Sequence, residues 1–452
     1  MSLATIDRYD PDRVSRHGDH AIVVGASIAG LLAARVLADA FEHVTIIERD
    51  PLDGGTEPRR GVPQAEHVHV LLSAGQEIME DLAPGFSDDL VDAGAVVCDL
   101  SREFHVHAAG DLISPGTTPI PIYLASRPLV ERVLRARIAA HGRITLRSAC
   151  QVIEPVVTDA RETIRGVVVH QEGDTHEVTA DLVVDASGRS SRATAWLDRL
   201  GYPRPSAEEV HVDLAYRTCQ LRRPPDDLRA LLVMPAPPRA RGAAVLPVEG
   251  DRWFVTLVGM HGQHPPDELD ELRDFAGSLP VPMVRELLEE REVVTPKVAR
   301  YRYPTQTRRR FDTLEEHPRG MIVLGDAVAN FNPIYGQGMS VSALQALSLH
   351  HTLADDGTEN LAPNLYRRVG KVVEGAWNLA AGGDFQFPQT EGSKPPGTDV
   401  VNRYINRLHR KAHTDGELAD AFNEVVVMRQ PPTSLFRPKV AWRTLRPGQT
   451  PR

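Results

Sequence analysis

Short apolar runs separated by a helical pattern dominate the beginning of the chain. Residues 21–24 form one run, and residues 44–48 form a second run that ends in a carboxylate. Between them, apolar residues recur at helical spacing from about residue 27, which predicts an α-helix. A third run lies far along the chain at 321–324. Strands that alternate with helices are typical of parallel sheets, so we expect these runs to form strands of one parallel sheet.

A different pattern occupies the middle of the chain. Apolar and polar residues alternate over 210–217, and further strand-like stretches follow at 243–248 and 253–258. This spacing predicts antiparallel strands with one buried face. The stretches 265–279 and 283–291 predict helices that pack against the same sheet.

The last part of the chain is expected to be helical. A long helix is predicted from about residue 339 to 353, and a segment rich in Pro, Gly and Ser at 388–397 predicts a linker or lid-like loop. An amphipathic helix with basic residues on its opposite face follows, and its apolar stripe is Val400, Tyr404, Ile405 and Leu408.

A glycine motif at the end of the first apolar run adds candidate chemistry. Gly25 permits a tight turn, and Gly30 lets the following helix pack closely on the strand. Ser27 stands where dinucleotide-binding turns usually have glycine, and it still leaves room for a phosphate to approach the backbone. The amide groups at such a helix start suit a pyrophosphate. Glu48 follows about twenty residues later, where an acid accepts hydrogen bonds from an adenosine ribose.

A second motif follows the apolar run at 321–324. Asp326 is an acceptor suited to a polyol, and Gly336 and Gly338 expose amide groups at the start of the long helix. Together, the two motifs resemble those of FAD-dependent aromatic hydroxylases and squalene epoxidase-type monooxygenases. The resemblance implies that Asp326 binds a ribityl hydroxyl of FAD and that the loop with Pro333 lies against the flavin ring.

Three further segments support this resemblance. The strand and turn at 182–192 match a segment that precedes the substrate domain in these flavoproteins. The segment 126–131 matches a helix start whose arginine, here Arg127, reaches the cofactor. Residues 59–64 are similar to actinobacterial polyether epoxidases of the lasalocid and monensin type.

The resemblance implies a tightly but noncovalently bound FAD. The expected cofactor-binding residues are Gly25, Ser27, Ala29, Gly30, Glu48, Arg49, Arg59, Gln64, Arg127, Asp326, Pro333, Gly336, Gly338 and Met339. No residue ranks as a catalytic acid or base. The alternating His67 and His69 are interpreted as structural residues, and Tyr335 is interpreted as a packing or ring contact. Trp253, Phe254 and Met260 resemble a hydrophobic wall, although apolar strand residues more often belong to a core.

The implied fold is α/β. An FAD-binding Rossmann-like domain of the glutathione reductase type carries an inserted antiparallel-sheet substrate domain and a helical C-terminal region. We expect a polar N-terminal extension at 1–17, a discontinuous FAD-binding domain at 18–100, 123–200 and 298–360, a substrate-binding domain at 101–122 and 201–297, and a helical region at 361–452.

Composition agrees with an enzyme of this kind. The chain has 452 residues, of which 42% are hydrophobic and 25% charged, so it is globular and long enough for more than one core. Its net charge of −10 argues against a nucleic-acid partner. The 3 cysteines are widely spaced, without a metal-binding pattern, which fits a reduced cytoplasm. There is no long apolar run, so we expect neither a signal peptide nor a membrane span.

These observations predict an FAD-dependent monooxygenase of secondary metabolism, either an epoxidase or a hydroxylase. It would insert one oxygen atom from O2 into a hydrophobic small molecule through a flavin C4a-hydroperoxide. NAD(P)H or a separate flavin reductase would supply electrons, and the substrate and oligomeric state stay open. Two alternatives also stay open: an alkene reductase of the geranylgeranyl reductase type and a noncatalytic escort module. A flavin-dependent halogenase is disfavoured because the chain lacks a Trp-x-Trp-x-Ile-Pro segment.

Overall fold

A computed structural model describes residues 1–52, 54–55, 57–158, 163–295 and 297–447. The α-helices of this part are α1 (Ile28–Ala40), α2 (Ser73–Leu82), α3 (Phe86–Asp92), α4 (Arg127–Ala139), α5 (Ala193–Leu200), α6 (Leu269–Gly277), α7 (Met283–Glu290), α8 (Gly338–Asp356), α9 (Leu361–Asp384), α10 (Thr398–Ala412), α11 (Gly416–Val426) and α12 (Pro438–Leu445). The strands are β1 (Gly18–Val24), β2 (Phe41–Ile47), β3 (Val70–Leu71), β4 (Val96–Asp99), β5 (Phe104–Ala108), β6 (Asp111–Leu112), β7 (Pro121–Leu124), β8 (Ile144–Arg147), β9 (Gln151–Val157), β10 (Ile164–Gln171), β11 (Asp174–Thr179), β12 (Leu182–Asp185), β13 (Ala207–Arg222), β14 (Ala230–Val233), β15 (Arg241–Val248), β16 (Arg252–Gly259), β17 (Ala299–Arg309), β18 (Met321–Val323), β19 (Ala329–Asn330) and β20 (Glu391–Gly392).

A parallel sheet forms the first layer, with strand order β18-β12-β1-β2-β8. The three apolar runs at the beginning of the chain and at 321–324 lie in β1, β2 and β18, so their prediction as parallel strands is confirmed. The register sets Val23 beside Val184 on one side and beside Ile46 on the other. Residues 21–24 are all buried, as expected for a strand covered on both faces.

The order of this sheet determines where a ligand can bind. From the central strand β1 the chain passes through α1 to β2 on one side, whereas β12 lies on the other side. The strand order therefore reverses at β1, and the crevice outside the carboxyl ends of β1 and its neighbours is the usual ligand site of such sheets. The helices α1 and α8 pack against each other, and both begin at this edge.

A second, mostly antiparallel sheet has the order β19-β17-β13-β16-β15-β14-β5-β6, and β20 pairs with β13. The predicted antiparallel strands at 210–217, 243–248 and 253–258 are confirmed as parts of β13, β15 and β16. The strand β13 is longer than its pattern predicts, because β17 pairs with it over 207–218 and β16 pairs with it over 215–222. The predicted helices at 265–279 and 283–291 correspond to α6 and α7, which cover this sheet.

Two segments have a place in the second sheet that their sequence pattern did not indicate. The strand β17 lies within the range expected for the FAD-binding domain, yet it pairs with β13. The division into domains stays a prediction. The segment at 388–397, expected to be a linker, contributes β20, which pairs with Val210 and His211. These pairings depend on distant partners, so local alternation alone does not indicate them.

The C-terminal helices α10, α11 and α12 pack around a small core of their own. The helix expected on the 400–408 stripe is confirmed as α10, and Leu408, Leu418 and Leu435 are buried in this core. The inner faces of α10 and α11 approach the second sheet and close a cavity. None of the helices in the described ranges has the length and apolar character needed to cross a membrane.

Candidate active site

A cavity of about 980 Å³ lies where the parallel sheet, the second sheet and the C-terminal helices meet. All of the predicted cofactor-binding residues except Gly30 line it. Gly30 instead has a packing role, because a side chain there would collide with the carbonyl oxygen of Gly25. Sequence motifs that lie about three hundred residues apart thus come together in one place.

The turn after β1 requires a glycine. Gly25 has a φ of +105°, and a Cβ there would lie 2.7 Å from the carbonyl oxygen of Ala186. Ser27 is the residue before α1, and the first amide of α1 with an intrahelical partner is that of Leu31. The amides of Ile28 and Ala29 are therefore available at a helix start that faces the cavity.

Glu48 is held firmly at the end of β2. Its carboxylate accepts hydrogen bonds from the amides of Ala26 at 2.9 Å and Asp50 at 3.0 Å, and it lies 3.1 Å from a guanidinium nitrogen of Arg59. A carboxylate has about four lone-pair positions, so one position is left for a ligand hydroxyl. This donor set fits the ribose of an adenosine.

A buried ionic cluster fixes the predicted arginines. Glu131 receives hydrogen bonds from Arg127 at 2.9 Å and Arg59 at 2.5 Å, and from the Ser27 hydroxyl at 2.5 Å. Burial alone would raise the pKa of Glu131, but Arg127 and Arg59 outweigh it and lower the pKa to about 2. Glu131 lies within the matched segment 126–131, but it was not predicted as a site residue, because its partners Ser27 and Arg59 are distant in sequence. Ser27 therefore does more than replace a glycine, since it helps to position Glu131.

Asp326 supplies the acceptor expected for a polyol. Its carboxylate lines the cavity and has no hydrogen-bond partner among the described residues. Burial raises the pKa of Asp326, while Arg127 and Arg189 oppose the rise. Asp326 is half-buried, and a ligand hydroxyl would satisfy its unpaired carboxylate. The site therefore fits the ribityl chain of FAD.

The 332–336 loop lies between Asp326 and α8. Gly336 has a φ of +67°, and the amides at the start of α8, at Gly338 and Met339, face the same cavity. A helix start at this position favours negative charge on a bound ring. The fit of this loop to a reduced flavin therefore rests on the backbone rather than on a charged side chain.

Asp384 anchors this loop and was not expected from the sequence. Its carboxylate accepts hydrogen bonds from Gln306 at 2.5 Å, Asn332 at 3.0 Å and the Tyr335 hydroxyl at 3.1 Å. Burial raises the pKa of Asp384 to about 7, although its three donors oppose the rise. Burial also raises the pKa of Tyr335 well above its ordinary value, so Tyr335 donates to Asp384 and stays protonated. Nothing in the sequence distinguishes Asp384 from the other acidic residues of the helical region at 361–452.

The two alternating histidines both line the cavity. His67 is buried, with Nδ1 at 2.7 Å from the Thr218 hydroxyl, and Nδ1 of His69 lies 3.0 Å from the His67 carbonyl oxygen. Burial lowers the pKa of His67 to about 3 and that of His69 to about 4, so both rings are neutral at physiological pH. Neither ring therefore contributes a positive charge to the cavity.

The expected hydrophobic wall divides between core and cavity. Trp253 is buried with α6 and α7 in a core away from the cavity, whereas Met260 lines the cavity. The apolar part of the cavity wall comes from the second sheet, and its members include Phe104, Val106, Leu232, Leu246 and Val258. The opposite wall of this part comes from α10 and α11.

Comparison with known proteins identifies a family and a fold. The profile of the "FAD binding domain" family matches residues 20–365. Protein Rv3254 of Mycobacterium tuberculosis is 35% identical over 428 residues, which cover 91% of this chain and 90% of that protein. Squalene monooxygenase of Mus musculus is 26% identical over 358 residues, which cover 76% of this chain and 55% of the mouse enzyme. A solved structure of a flavoprotein/dehydrogenase from Cytophaga hutchinsonii has a TM-score of 0.67 at 13% identity, over 94% of this chain and 96% of that one, and it confirms the expected fold class.

Proposed function

The chain belongs to the FAD binding domain family and is an FAD-dependent monooxygenase, and we propose that it adds one oxygen atom from O2 to an uncharged hydrophobic small molecule. The product would be an epoxide or a hydroxylated compound of secondary metabolism. One observation carries this proposal: a single cavity joins the expected cofactor-binding residues to a chamber with a largely apolar wall from the second sheet.

The cofactor-binding end offers a complementary group for each part of FAD. The start of α1 would hold the pyrophosphate, Glu48 the adenosine ribose and Asp326 the ribityl chain, while the start of α8 would face the ring. When bound and reduced, FAD supplies the activation of O2. The arginines Arg59 and Arg127 are held by Glu131, so they preserve the shape of this end without being free cations.

The chamber end would protect the reaction from water. The second sheet supplies apolar side chains, and the rings of His67 and His69 are uncharged. A dry chamber suppresses side reactions of activated oxygen, which otherwise release hydrogen peroxide. Oxygen transfer of this kind needs no nucleophile from the protein, which agrees with the absence of a candidate nucleophile with its base among the sequence motifs.

The electron donor is either NAD(P)H or a separate flavin reductase. Photochemical reduction of the bound FAD bypasses this choice, so a test of the reaction can be made without knowing the donor. The alkene reductase and the escort module then become distinguishable outcomes of one experiment.

The experiment follows the source of oxygen in a product. Photoreduced, FAD-loaded protein is mixed with a panel of polyenes and phenols under oxygen-18 gas, and separately in oxygen-18 water under ordinary oxygen. We expect a product with one additional oxygen atom, labelled from the gas and unlabelled from the water. A product that also forms in a third, anaerobic sample and gains no oxygen atom would identify a reductase, and a label that comes from water would contradict oxygen transfer. A protein that binds no FAD would support the escort module.

A further inference from the structure

The helix α10 presents a row of neutral polar side chains to the cavity. Asn402, Asn406 and His409 are spaced by four and three residues, so they lie on one face of α10, and all three line the cavity. A neighbouring flank of α10, about 100° around the helix, carries Arg403, Arg407 and Arg410, none of which lines the cavity. The helix thus keeps its cations outside and places only uncharged hydrogen-bonding groups inside.

The hydrogen bonds of this polar row leave acceptors free. The Asn402 amide nitrogen donates to the Gly382 carbonyl oxygen at 2.8 Å, and that of Asn406 donates to the side-chain oxygen of Gln386 at 3.0 Å. These bonds fix the orientation of both amides, and among the described residues neither carbonyl oxygen has a donor. Both asparagines therefore offer acceptors to whatever occupies the chamber.

His409 extends the row at its far end. Its ring packs edge-on against Phe422, with the ring centroids 4.4 Å apart, and it has no hydrogen-bond partner in the described part of the chain. Burial lowers the pKa of His409 to about 4, so its ring is neutral and offers one donor and one acceptor.

The elements packed around this polar row disfavour a charged ligand group. In the described residues, no Lys, Arg, Asp or Glu of α10, α11, β5 or β14 lines the cavity. The facing wall is apolar and includes Phe104, Val106 and Leu232. A carboxylate or ammonium group against this face of α10 would lose its hydration without a counter-ion from these four elements, because the charged residues that line the cavity, such as Arg102 and Asp384, belong to other segments.

We propose that Asn402, Asn406 and His409 form a subsite for hydroxyl groups along one edge of an uncharged, otherwise hydrocarbon substrate. The inference rests on the proposed function, because it names the substrate class of the same cavity. From Asn402 to His409 the helix rises about 10 Å, so the substrate is an elongated molecule with hydroxyls spread over a comparable length. Its hydrocarbon face would lie against the second sheet.

One end of the polar row lies close to the 332–336 loop, and this gives the bound substrate a direction. Asn402 binds the carbonyl of Gly382, and Asp384 two residues later anchors Tyr335 of the 332–336 loop. His409 lies at the other end of the row, beside Phe422. The hydroxyl nearest the reacting carbon would therefore bind Asn402, and the more distant hydroxyls would bind Asn406 and His409.

Calorimetric titration of FAD-loaded, oxidised protein tests the subsite without any turnover. The probes are terminal decanediol, its dimethyl ether and decanedioate, which share a carbon chain but differ in hydroxyl donors and charge. We expect the diol to bind about tenfold more tightly than its ether, although the ether is more apolar, and decanedioate to bind more weakly than either. Asn406→Leu and Asn402→Leu should each weaken diol binding about five- to tenfold and leave ether binding unchanged.

Matched variants separate this effect from a general change in folding. Arg403→Leu makes the same kind of change on the outer face of α10 and should keep the preference for the diol. His409→Phe removes no hydrogen bond within the protein, so it tests the subsite if the asparagine variants lose stability. Equal or tighter binding of the ether or of decanedioate, no binding of the diol, or the same loss in Arg403→Leu would overturn the subsite. Failure of oxygen transfer with this binding pattern intact would instead count against the proposed function.

Discussion

Asp384 shows how a single buried carboxyl can hold a cofactor loop. It is the last residue of α9, and its donors come from β17 and from the 332–336 loop. Its burial and its position at a helix C-terminus both disfavour the ionised form. The three donors stabilise the ionised form but do not restore the ordinary pKa, which burial raises to about 7. The carboxyl thus titrates within the pH range in which the enzyme would work.

Asp384 should make stability depend on pH in a defined direction. Its pKa is near 3.9 in an unfolded chain and about 7 in the folded protein, so the folded state binds more protons between these values. The contribution of Asp384 to stability is therefore complete below about pH 4 and falls as the pH rises towards 7. Relative to Asp384→Asn, the wild-type free energy of unfolding should fall by up to about 1.4 kcal/mol per pH unit in this window.

Urea unfolding at a series of pH values measures this difference. The neighbouring Tyr335 and Tyr216 do not interfere, because burial raises the pKa of both well above the ordinary value. Asp174→Asn, an exposed change in a hairpin, should follow the wild-type pH dependence. Parallel curves for wild type and Asp384→Asn would show that Asp384 does not titrate in this range.

At the scale of elements, the turn into α8 contains two glycines, Gly336 and Gly338, with different backbone conformations. No protein atom lies within 4 Å of a Cβ added at either Gly336 or Gly338, so a methyl group at either position would not collide with the protein itself. They differ in the backbone, since Gly336 has a φ of +67° and Gly338 is the first residue of α8. An alanine at Gly336 costs about 1 to 2 kcal/mol of backbone strain, whereas an alanine in a helix is favourable.

Gly336→Ala should therefore lower the melting temperature and displace the loop from the ring, whereas Gly338→Ala should not. With the loop displaced, activated oxygen is less protected, and more hydrogen peroxide should be released per oxygenated product. Thermal unfolding and a peroxide assay during turnover measure the two effects. Equal effects of both variants would show that space, and not backbone conformation, controls the loop.

The elements that were predictable from the sequence are those determined by local pattern. The apolar runs and the turn at Gly25 predicted β1, β2 and the start of α1, because buried strands and tight turns have a recognisable local sequence. Glu131 and Asp384 were not predicted, since partners such as Arg59 and Gln306 are distant in sequence and acidic residues are common on surfaces. The polar row on α10 was visible only as the hydrophilic side of an amphipathic helix, and the fold determines that this side faces a cavity.

At the scale of the whole molecule, the cavity and the second core are separate units. The cavity lies between three layers, and the starts of α1 and α8 and the 332–336 loop all border it, where we expect FAD to bind. The helices α6 and α7 instead pack on the far side of the second sheet around Trp253, and in the described part of the chain neither helix lines the cavity. Loss of the cofactor should therefore affect these two regions unequally.

Removal of FAD should loosen the cavity layers and leave the second core intact. Binding to the folded state alone adds about 2.7 kcal/mol of stability when free FAD is a hundredfold above its dissociation constant, so the apo protein should melt at a lower temperature. Hydrogen exchange should accelerate at the starts of α1 and α8 and in the 332–336 loop, because their free amides and Asp326 lose the ligand that satisfies them. Exchange in α6 and α7 should be unchanged, which makes them an internal control. Faster exchange spread evenly over both regions, or none at the two helix starts, would mean that FAD binds elsewhere than in this cavity.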